Sequence, residues 1–244
     1  RTDDYRLPMS LKTVNVSGGE ILDYAFENCM YIENISIPNS ITQIGESAFS
    51  GCVYLKSFDI PRGVNEIKQE TFKSCASLVS ITVPPYVTTL GSNCFAGCES
   101  LTDIELPDGL QKIETSVFSG CKSLTNIVIP DSVTEISPGV FANCESLESL
   151  TVPFCSFEWG TYEYSLTYLF NSVNNGDKYD ESKYYRATKC SKDPSYGYME
   201  SDYALIPLCL NRVVLTHGES VWGFVGLSSL TSVVLPDTVK NIED

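Results

Sequence analysis

The stretch FSGCKSLTNIVIPDSVTEI, residues 118–136, recurs along the chain with the same residue types at the same positions. Phenylalanine, cysteine and proline each return every 23 residues without drift. The aligned positions are Phe26, Phe49, Phe72, Phe95, Phe118 and Phe141; Cys29, Cys52, Cys75, Cys98, Cys121 and Cys144; and Pro38, Pro61, Pro84, Pro107, Pro130 and Pro153. Self-similarity at a fixed period of this size is typical of a solenoid built from one structural unit per repeat. Five regular repeats run from residue 38 to residue 152.

Each repeat divides into three segments with different signals. The pattern L-x-x-I-x-I-P, as in LTNIVI from residue 124, predicts a half-buried strand, which the proline ends because it has no N–H to donate. An apolar pair such as Val133 and Ile136 then predicts a short extended segment. The stretch that ends at cysteine, as in GESAFSGC from residue 45, predicts one helical or 3₁₀ turn with phenylalanine pointing inward.

A single repeat does not fold alone, because its few buried side chains do not offset the conformational entropy lost in ordering the whole repeat. Stacking is therefore required, with strands of successive repeats paired about 4.8 Å apart. The sequence predicts an α/β solenoid that is β-rich overall. A parallel sheet lines its concave face, with short helical or 3₁₀ turns and extended segments elsewhere.

The full pattern, L-x-x-I-x-I-P-x-x-V-x-x-I-x-x-x-x-F-x-x-C, resembles the BspA-like leucine-rich repeat over about 190 of the 244 residues. It departs from the ordinary leucine-rich repeat, which has Asn or Cys eight residues after the first leucine. This chain has Gly63, Tyr86, Gly109 and Ser132 at that position. The resemblance implies a leucine-rich-repeat solenoid from a secreted or surface-attached bacterial protein, acting as a binding or adhesion module.

The regular pattern stops after Pro153 and resumes at residue 206, which predicts three parts. These are a solenoid over 1–153 that opens with a shortened repeat, a tyrosine-rich insertion over 154–205, and resumed, truncated repeats over 206–244. The segments 7–20 and 206–219 align residue for residue. Either a larger module begins again after the insertion, or a preceding loop constrains every restart repeat in the same way.

Two surfaces are candidate binding sites. On the concave face, polar side chains occupy the outward positions of the strands, without the aromatic or arginine anchors that binding hot spots favour. This face is either merely solvated or a polar surface for a glycan or protein. The candidates are Lys56, Asp59, Asp103, Glu105, Asn126 and Glu148.

The insertion is the second candidate, and it holds nine of the fourteen tyrosines. Tyrosine offers a large amphipathic contact area at low entropic cost, and loops on a rigid scaffold often carry binding residues. Alternatively, these rings pack against the side of the solenoid and fix the loop. The candidate contacts are Trp159, Tyr162, Tyr164, Tyr168, Tyr184, Tyr185, Tyr196 and Tyr198.

The six repeated cysteines are predicted to be buried free thiols, because parallel Cβ vectors on neighbouring rungs suit a disulfide poorly. We call these six residues the ladder cysteines. Three further cysteines lie around the insertion, and a disulfide between two of them would join its ends: Cys155, Cys190 and Cys209. The pairing is not determined by the sequence. Cys94 and Cys98 lack further ligands nearby, so neither a metal site nor a cofactor is predicted.

Charge and residue inventory exclude several classes of function. The formal net charge of −15 opposes binding to nucleic acid or to an anionic membrane surface. No apolar run is long enough for a membrane span. His217 is the only histidine, which disfavours Ser-His and Cys-His catalysis, and the sequence has no P-loop. We therefore expect a monomer without enzymatic activity.

The chain begins RTDDYRLPMS, without methionine or an apolar leader. Either a signal peptide has been removed or the chain is part of a longer protein. We expect an extracellular or cell-surface location and an extracellular protein or glycan as partner. The alternative is a structural spacer of a larger surface protein, with no ligand of its own.

Overall fold

The structure, a computed structural model, describes residues 10–153, 157–159, 162–164, 166–170, 184–188, 203–217, 220–221, 224 and 227–242. Each repeat forms one rung of a solenoid, as the 23-residue period predicts. A rung consists of a strand on the concave face, a second short extended segment, and a series of turns that leads to the next rung. We call the side formed by these turns the turn edge.

The concave face is built from parallel strands, one per rung. Adjacent strands pair in register, so that Ser57 lies opposite Ser80 and Ser80 opposite Asp103. Hydrogen-bonded pairing joins the first two strands, the next three and the last four. In the part of the chain that the structure describes, these strands are Thr13–Asn15, Asn34–Ser36, Ser57–Asp59, Ser80–Thr82, Asp103–Glu105, Asn126–Val128, Ser149–Val152, Arg212–Leu215 and Ser232–Val234.

The second extended segment is confirmed as a second parallel sheet of two-residue strands. It contains one buried aliphatic residue per rung, and the bridge between Ile21 and Ile44 continues the same row. Its strands are Glu66–Ile67, Thr89–Leu90, Lys112–Ile113 and Glu135–Ile136.

The turn edge differs from the expected helical turn. Two positions per rung adopt positive φ, as Ser47 does at 52° and Gly51 at 74°. A left-handed residue cannot continue a right-handed helix, so the chain forms successive turns, such as Cys52 N–H to the Phe49 carbonyl at 3.1 Å. The first row of left-handed residues is Tyr24, Ser47, Glu70, Asn93, Ser116 and Gly139, and the second is Asn28, Gly51, Ser74, Gly97, Gly120 and Asn143.

The phenylalanine of each rung points inward, as predicted, and stacks on its neighbours. Ring centroids of Phe49 and Phe72 lie 5.5 Å apart with planes 10° from parallel, and those of Phe95 and Phe118 lie 5.8 Å apart at 4°. The backbone follows the same spacing, because Phe49 N–H donates to the Thr71 carbonyl of the next rung at 2.9 Å. The stack and the hydrogen bonds together fix the rise from rung to rung on this side.

Leu150 lies opposite Val213 in parallel register, so the concave sheet continues directly from Ser149–Val152 to Arg212–Leu215. A 3₁₀ helix, Leu166–Phe170, packs on the turn edge, where the Leu169 carbonyl accepts a hydrogen bond from Phe141 N–H at 2.8 Å. This rung is therefore composite. An antiparallel pair, Phe157–Trp159 with Tyr162–Tyr164, precedes the 3₁₀ helix in the chain. A second pair, Tyr184–Thr188 with Tyr203–Pro207, lies between the helix and the strand Arg212–Leu215.

Phe170 extends the aromatic stack, with its ring centroid 6.1 Å from that of Phe141 and a tilt of 44°. It is fully buried and lies within the segment that the sequence analysis assigns to the insertion. The division of the chain into three parts stays a prediction. Within it, the first part of the predicted insertion contributes to the solenoid core.

Candidate binding surface

The concave face presents every second strand residue to solvent. In Ser57–Asp59 the central Phe58 is buried, whereas Ser57 and Asp59 are exposed. The same alternation repeats along the sheet. All six concave candidates from the sequence are exposed and lie on or beside these strands: Lys56, Asp59, Asp103, Glu105, Asn126 and Glu148.

Ion pairs occupy one end of this face. Glu33 contacts Lys12 at 2.9 Å and Lys56 at 3.7 Å across three successive rungs. The hydrogen bond and charge of Lys12 lower the pKa of the Glu33 carboxyl, and Glu33 in turn raises the pKa of Lys12. Both lysines are exposed and Glu33 is partly exposed, so the pairs contribute little to stability.

The carboxylates of the middle rungs are different. Asp59, Asp103 and Glu105 have no ion-pair partner among the residues that the structure describes. Asp103 and Glu105 flank the buried Ile104 on one strand, so both point outward. These acidic groups are available to basic groups of another molecule.

One outward row in the far half of the concave face is apolar, and it runs beside a polar row of Asn126, Ser149, Arg212 and Ser232. Val128, Thr151, Val214 and Val234 lie opposite one another in register on four adjacent strands. Val128 is 59% exposed and Val234 is 42% exposed. We call this continuous row of β-branched side chains the valine row. Sequence reasoning missed it because the insertion separates two of its members from the other two.

The aromatic candidates of the insertion lie on two antiparallel strand pairs, on the 3₁₀ helix or outside the described residues. Tyr196 and Tyr198 lie outside the described residues, and Tyr168 is half-buried on the 3₁₀ helix. Strand pairing places Trp159 opposite Tyr162. In the same strand pair, Tyr164 lies opposite Phe157. In the strand pair further along the chain, Tyr184 lies opposite Pro207 and Tyr185 lies opposite Ile206.

An exposed aromatic pair lies outside both predicted surfaces. The rings of Tyr31 and Tyr54 stack with centroids 5.7 Å apart and planes 18° from parallel. They lie in the turn that precedes the concave strands, each two residues after the cysteine of its rung. The signal in the sequence is the repetition of tyrosine at one repeat position, which lies outside both the strand positions and the insertion.

The ladder cysteines are free and buried, as predicted, except Cys29, which is free and half-buried. Cys209 is also free, and its half-buried thiol donates to the carbonyl oxygens of Glu145 and Leu147, each at 3.2 Å. Cys155 and Cys190 lie outside the described residues. Bridging among these three cysteines therefore stays a prediction.

Across the described ranges, no group of three or more histidine, cysteine or acidic side chains is arranged to hold a metal ion. Nor does any described helix have the length and apolarity to cross a membrane. His217 Nδ1 lies 3.4 Å from Asp131 Oδ1 on the exposed surface, where Thr216 also contacts the same carboxylate.

A family model described as the BspA type leucine rich repeat region matches six copies over residues 19–174, which is more than half of the chain. The chain belongs to the BspA-type leucine-rich repeat family. The matched range extends past Pro153 and includes Phe170, in agreement with the composite rung. Solenoids of this family are typically non-catalytic.

Solved structures are similar to this BspA-type chain. The leucine-rich repeat protein TpLRR of T. pallidum is 31% identical, with 57% of this chain and 68% of that chain covered and a TM-score of 0.51. A leucine-rich cell surface protein from Faecalibacterium prausnitzii is 25% identical, with coverages of 96% and 61% and a TM-score of 0.57. A leucine-rich repeat protein from Bacteroides ovatus is 25% identical, with 95% of this chain and 62% of that chain covered and a TM-score of 0.50.

This BspA-type chain spans about three fifths of the length of the Faecalibacterium and Bacteroides proteins. No curated protein matches it.

Proposed function

We propose that this chain is a non-catalytic binding module of a bacterial surface protein and that its concave face binds an extracellular protein. The observation that carries this proposal is the change in polarity along the concave face, from its three-stranded sheet to its four-stranded sheet. Carboxylates without an ion-pair partner among the described residues occupy the middle rungs, and the valine row occupies the following rungs.

A spacer would need only solubility, and polar side chains at every outward position would supply it. Three valines and one threonine in register instead hold apolar surface toward solvent over a distance of about 14 Å, at roughly 4.8 Å per strand. Contiguous exposed apolar surface with polar neighbours is characteristic of interaction sites. A partner with an apolar centre and a basic margin would complement both halves of the face.

The surface location rests on similarity. The Faecalibacterium protein is named as a cell surface protein and aligns with 96% of this chain. We place this chain in the same setting. The tyrosine-rich insertion is proposed as a second contact, since its strands bring Trp159 and Tyr162 opposite each other.

The test is binding of the purified chain to immobilised extracellular matrix proteins at physiological salt. Val128→Lys places a charge in the valine row, and Thr134→Lys is the matched control, because Thr134 is exposed beside the second sheet. We expect binding to at least one protein of the panel, a tenfold or larger loss for Val128→Lys, and no loss for Thr134→Lys. Equal binding by both variants would move recognition away from the concave face, and no binding by the wild type would favour the spacer.

A further inference from the structure

The stacked rings of Tyr31 and Tyr54 stand beside smaller side chains on the following rungs, and we call this edge of the aromatic pair the step. The residue two positions after the ladder cysteine is tyrosine on two adjacent rungs and serine on the next four. Tyr31 is 40% exposed and Tyr54 is 49% exposed. One face of the Tyr54 ring is stacked on Tyr31, whereas the rung on its other side carries only a small side chain. The serines of the row are Ser77, Ser100, Ser123 and Ser146.

In the described ranges, neither tyrosine is held in place by a polar partner. Within the described part of the chain, no hydrogen bond reaches the hydroxyl of Tyr31 or Tyr54, and the ring contact between them is their one aromatic contact. An exposed hydroxyl of this kind is free to donate to and accept from a ligand. The rings do not serve the core, because the buried Ile32 and Leu55 that follow them fill it.

Charged groups border the step on the same rungs. Ile32 is buried between Tyr31 and Glu33, so both of these side chains lie on the outer side. Leu55 separates Tyr54 from Lys56 in the same way. The Glu33 carboxylate, which accepts from Lys12 at 2.9 Å, and the Lys56 ammonium, 3.7 Å from that carboxylate, provide a hydrogen-bond acceptor and a donor, each two residues along the chain from a ring.

We propose that Tyr31, Tyr54, Glu33 and Lys56 form a subsite for a neutral saccharide. The polarised C–H bonds on one face of a sugar ring carry partial positive charge, which the negative face of an aromatic ring attracts. Sugar hydroxyls then pair with the carboxylate, the ammonium and the phenol groups.

The size of the step favours a saccharide over a protein. The aromatic surface covers two rungs, about 10 Å at the spacing of paired strands. A stable protein interface buries roughly 800 Å² on each partner, far more than two half-exposed rings provide. The subsite does not include the valine row, so it stands or fails independently of the protein contact proposed above.

The experiment titrates the full chain with tetrasaccharides of glucose, mannose, galactose and N-acetylglucosamine, using calorimetry and saturation-transfer NMR. Tyr54→Ala removes the open ring, and Tyr54→Phe keeps the ring without its hydroxyl. Tyr86→Ala is the matched control, because Tyr86 is 70% exposed and has no stacked ring partner among the described residues. Thermal unfolding of each variant confirms that the solenoid remains folded.

We expect at least one tetrasaccharide to bind, with its affinity lowered tenfold or more by Tyr54→Ala and a few-fold by Tyr54→Phe. Tyr86→Ala and Val128→Lys should bind it as the wild type does. Absence of binding to every tetrasaccharide overturns the subsite, as does equal binding by wild type and Tyr54→Ala. Loss of saccharide binding in Val128→Lys with retention in Tyr54→Ala would assign the sugar to the valine row and also overturn the subsite.

Discussion

The thiol of Cys75 donates a hydrogen bond to the carbonyl oxygen of Phe49 on the preceding rung, at 3.2 Å. That carbonyl already accepts the Cys52 N–H within its own rung, so the thiol supplies a second bond in the buried interior. The contact repeats for Cys52, Cys98, Cys121 and Cys144, at 3.1–3.3 Å to the phenylalanine 26 residues earlier. This relationship explains why a small apolar side chain with a weak donor recurs at this position.

Removing one such thiol should destabilise the solenoid. Cys75→Ala loses a buried sulfur and leaves the Phe49 carbonyl with one donor, so we expect the free energy of unfolding to fall by about 1–2 kcal/mol. Urea unfolding followed by circular dichroism measures it. Cys209→Ala is the control, because Cys209 is half-buried, and its effect should be smaller. An equal loss of unfolding free energy in both variants would contradict a specific stabilising contribution from the buried thiol of Cys75.

The buried thiols should make the fold sensitive to high pH. Burial raises the pKa of Cys52, Cys98 and Cys144 to about 12. Because the folded pKa lies above that of the unfolded chain, about 8.5, the stabilisation is complete below that value and is lost as the pH rises toward 12. We expect the urea midpoint to fall progressively above pH 9. If the Cys75→Ala, Cys98→Ala double variant shows the same slope as the wild type, the thiols are not the cause.

Phe170 should contribute to stability as a core residue. Phe170→Ala removes a fully buried ring at the end of the stack and should cost about 3–5 kcal/mol. Phe26→Ala is the matched control at the other end, where the ring is only half-buried, and should cost less. Thermal unfolding of both variants tests this, and a negligible effect of Phe170→Ala would show that residues 166–170 do not complete the rung.

Gly51, a left-handed position on the turn edge, should tolerate a side chain less well than Gly109, which has no positive φ. At Gly51, φ is +74° and an added Cβ would clash with the Asn28 side chain, so Gly51→Ala should destabilise by about 1–2 kcal/mol. At Gly109 an added Cβ would contact only the Pro85 carbonyl oxygen, at 3.4 Å. Gly109→Ala should be near neutral in the same chemical unfolding assay. The reverse order would be inconsistent with the described turns.

The periodicity of the sequence predicts the strands and the core well, because burial at Phe49 or Phe58 depends on position within the repeat. It fails on the first row of left-handed residues, since Ser47 and Glu70 adopt positive φ without being glycine or asparagine; the second row is mostly glycine and asparagine, which favour that conformation. The periodicity does not identify Phe170 as a core residue, because Phe170 follows Phe141 by 29 residues instead of 23.

The candidate surfaces were predicted unevenly for a related reason. Alternation within each strand correctly places Asp59 and Asp103 on the exposed face. The valine row needs the pairing of Thr151 with Val214 across the intervening segment, and a local pattern cannot supply a contact of that separation.

The central claim is that the concave face touches a partner, and photocrosslinking tests it most directly. Val128→p-benzoylphenylalanine places the reactive group in the valine row, and Thr134→p-benzoylphenylalanine places it beside the second sheet. Each variant is irradiated with the matrix protein that the wild type binds most tightly. We predict a crosslinked product from position 128 and none from position 134. A product from position 134 alone would contradict the claim.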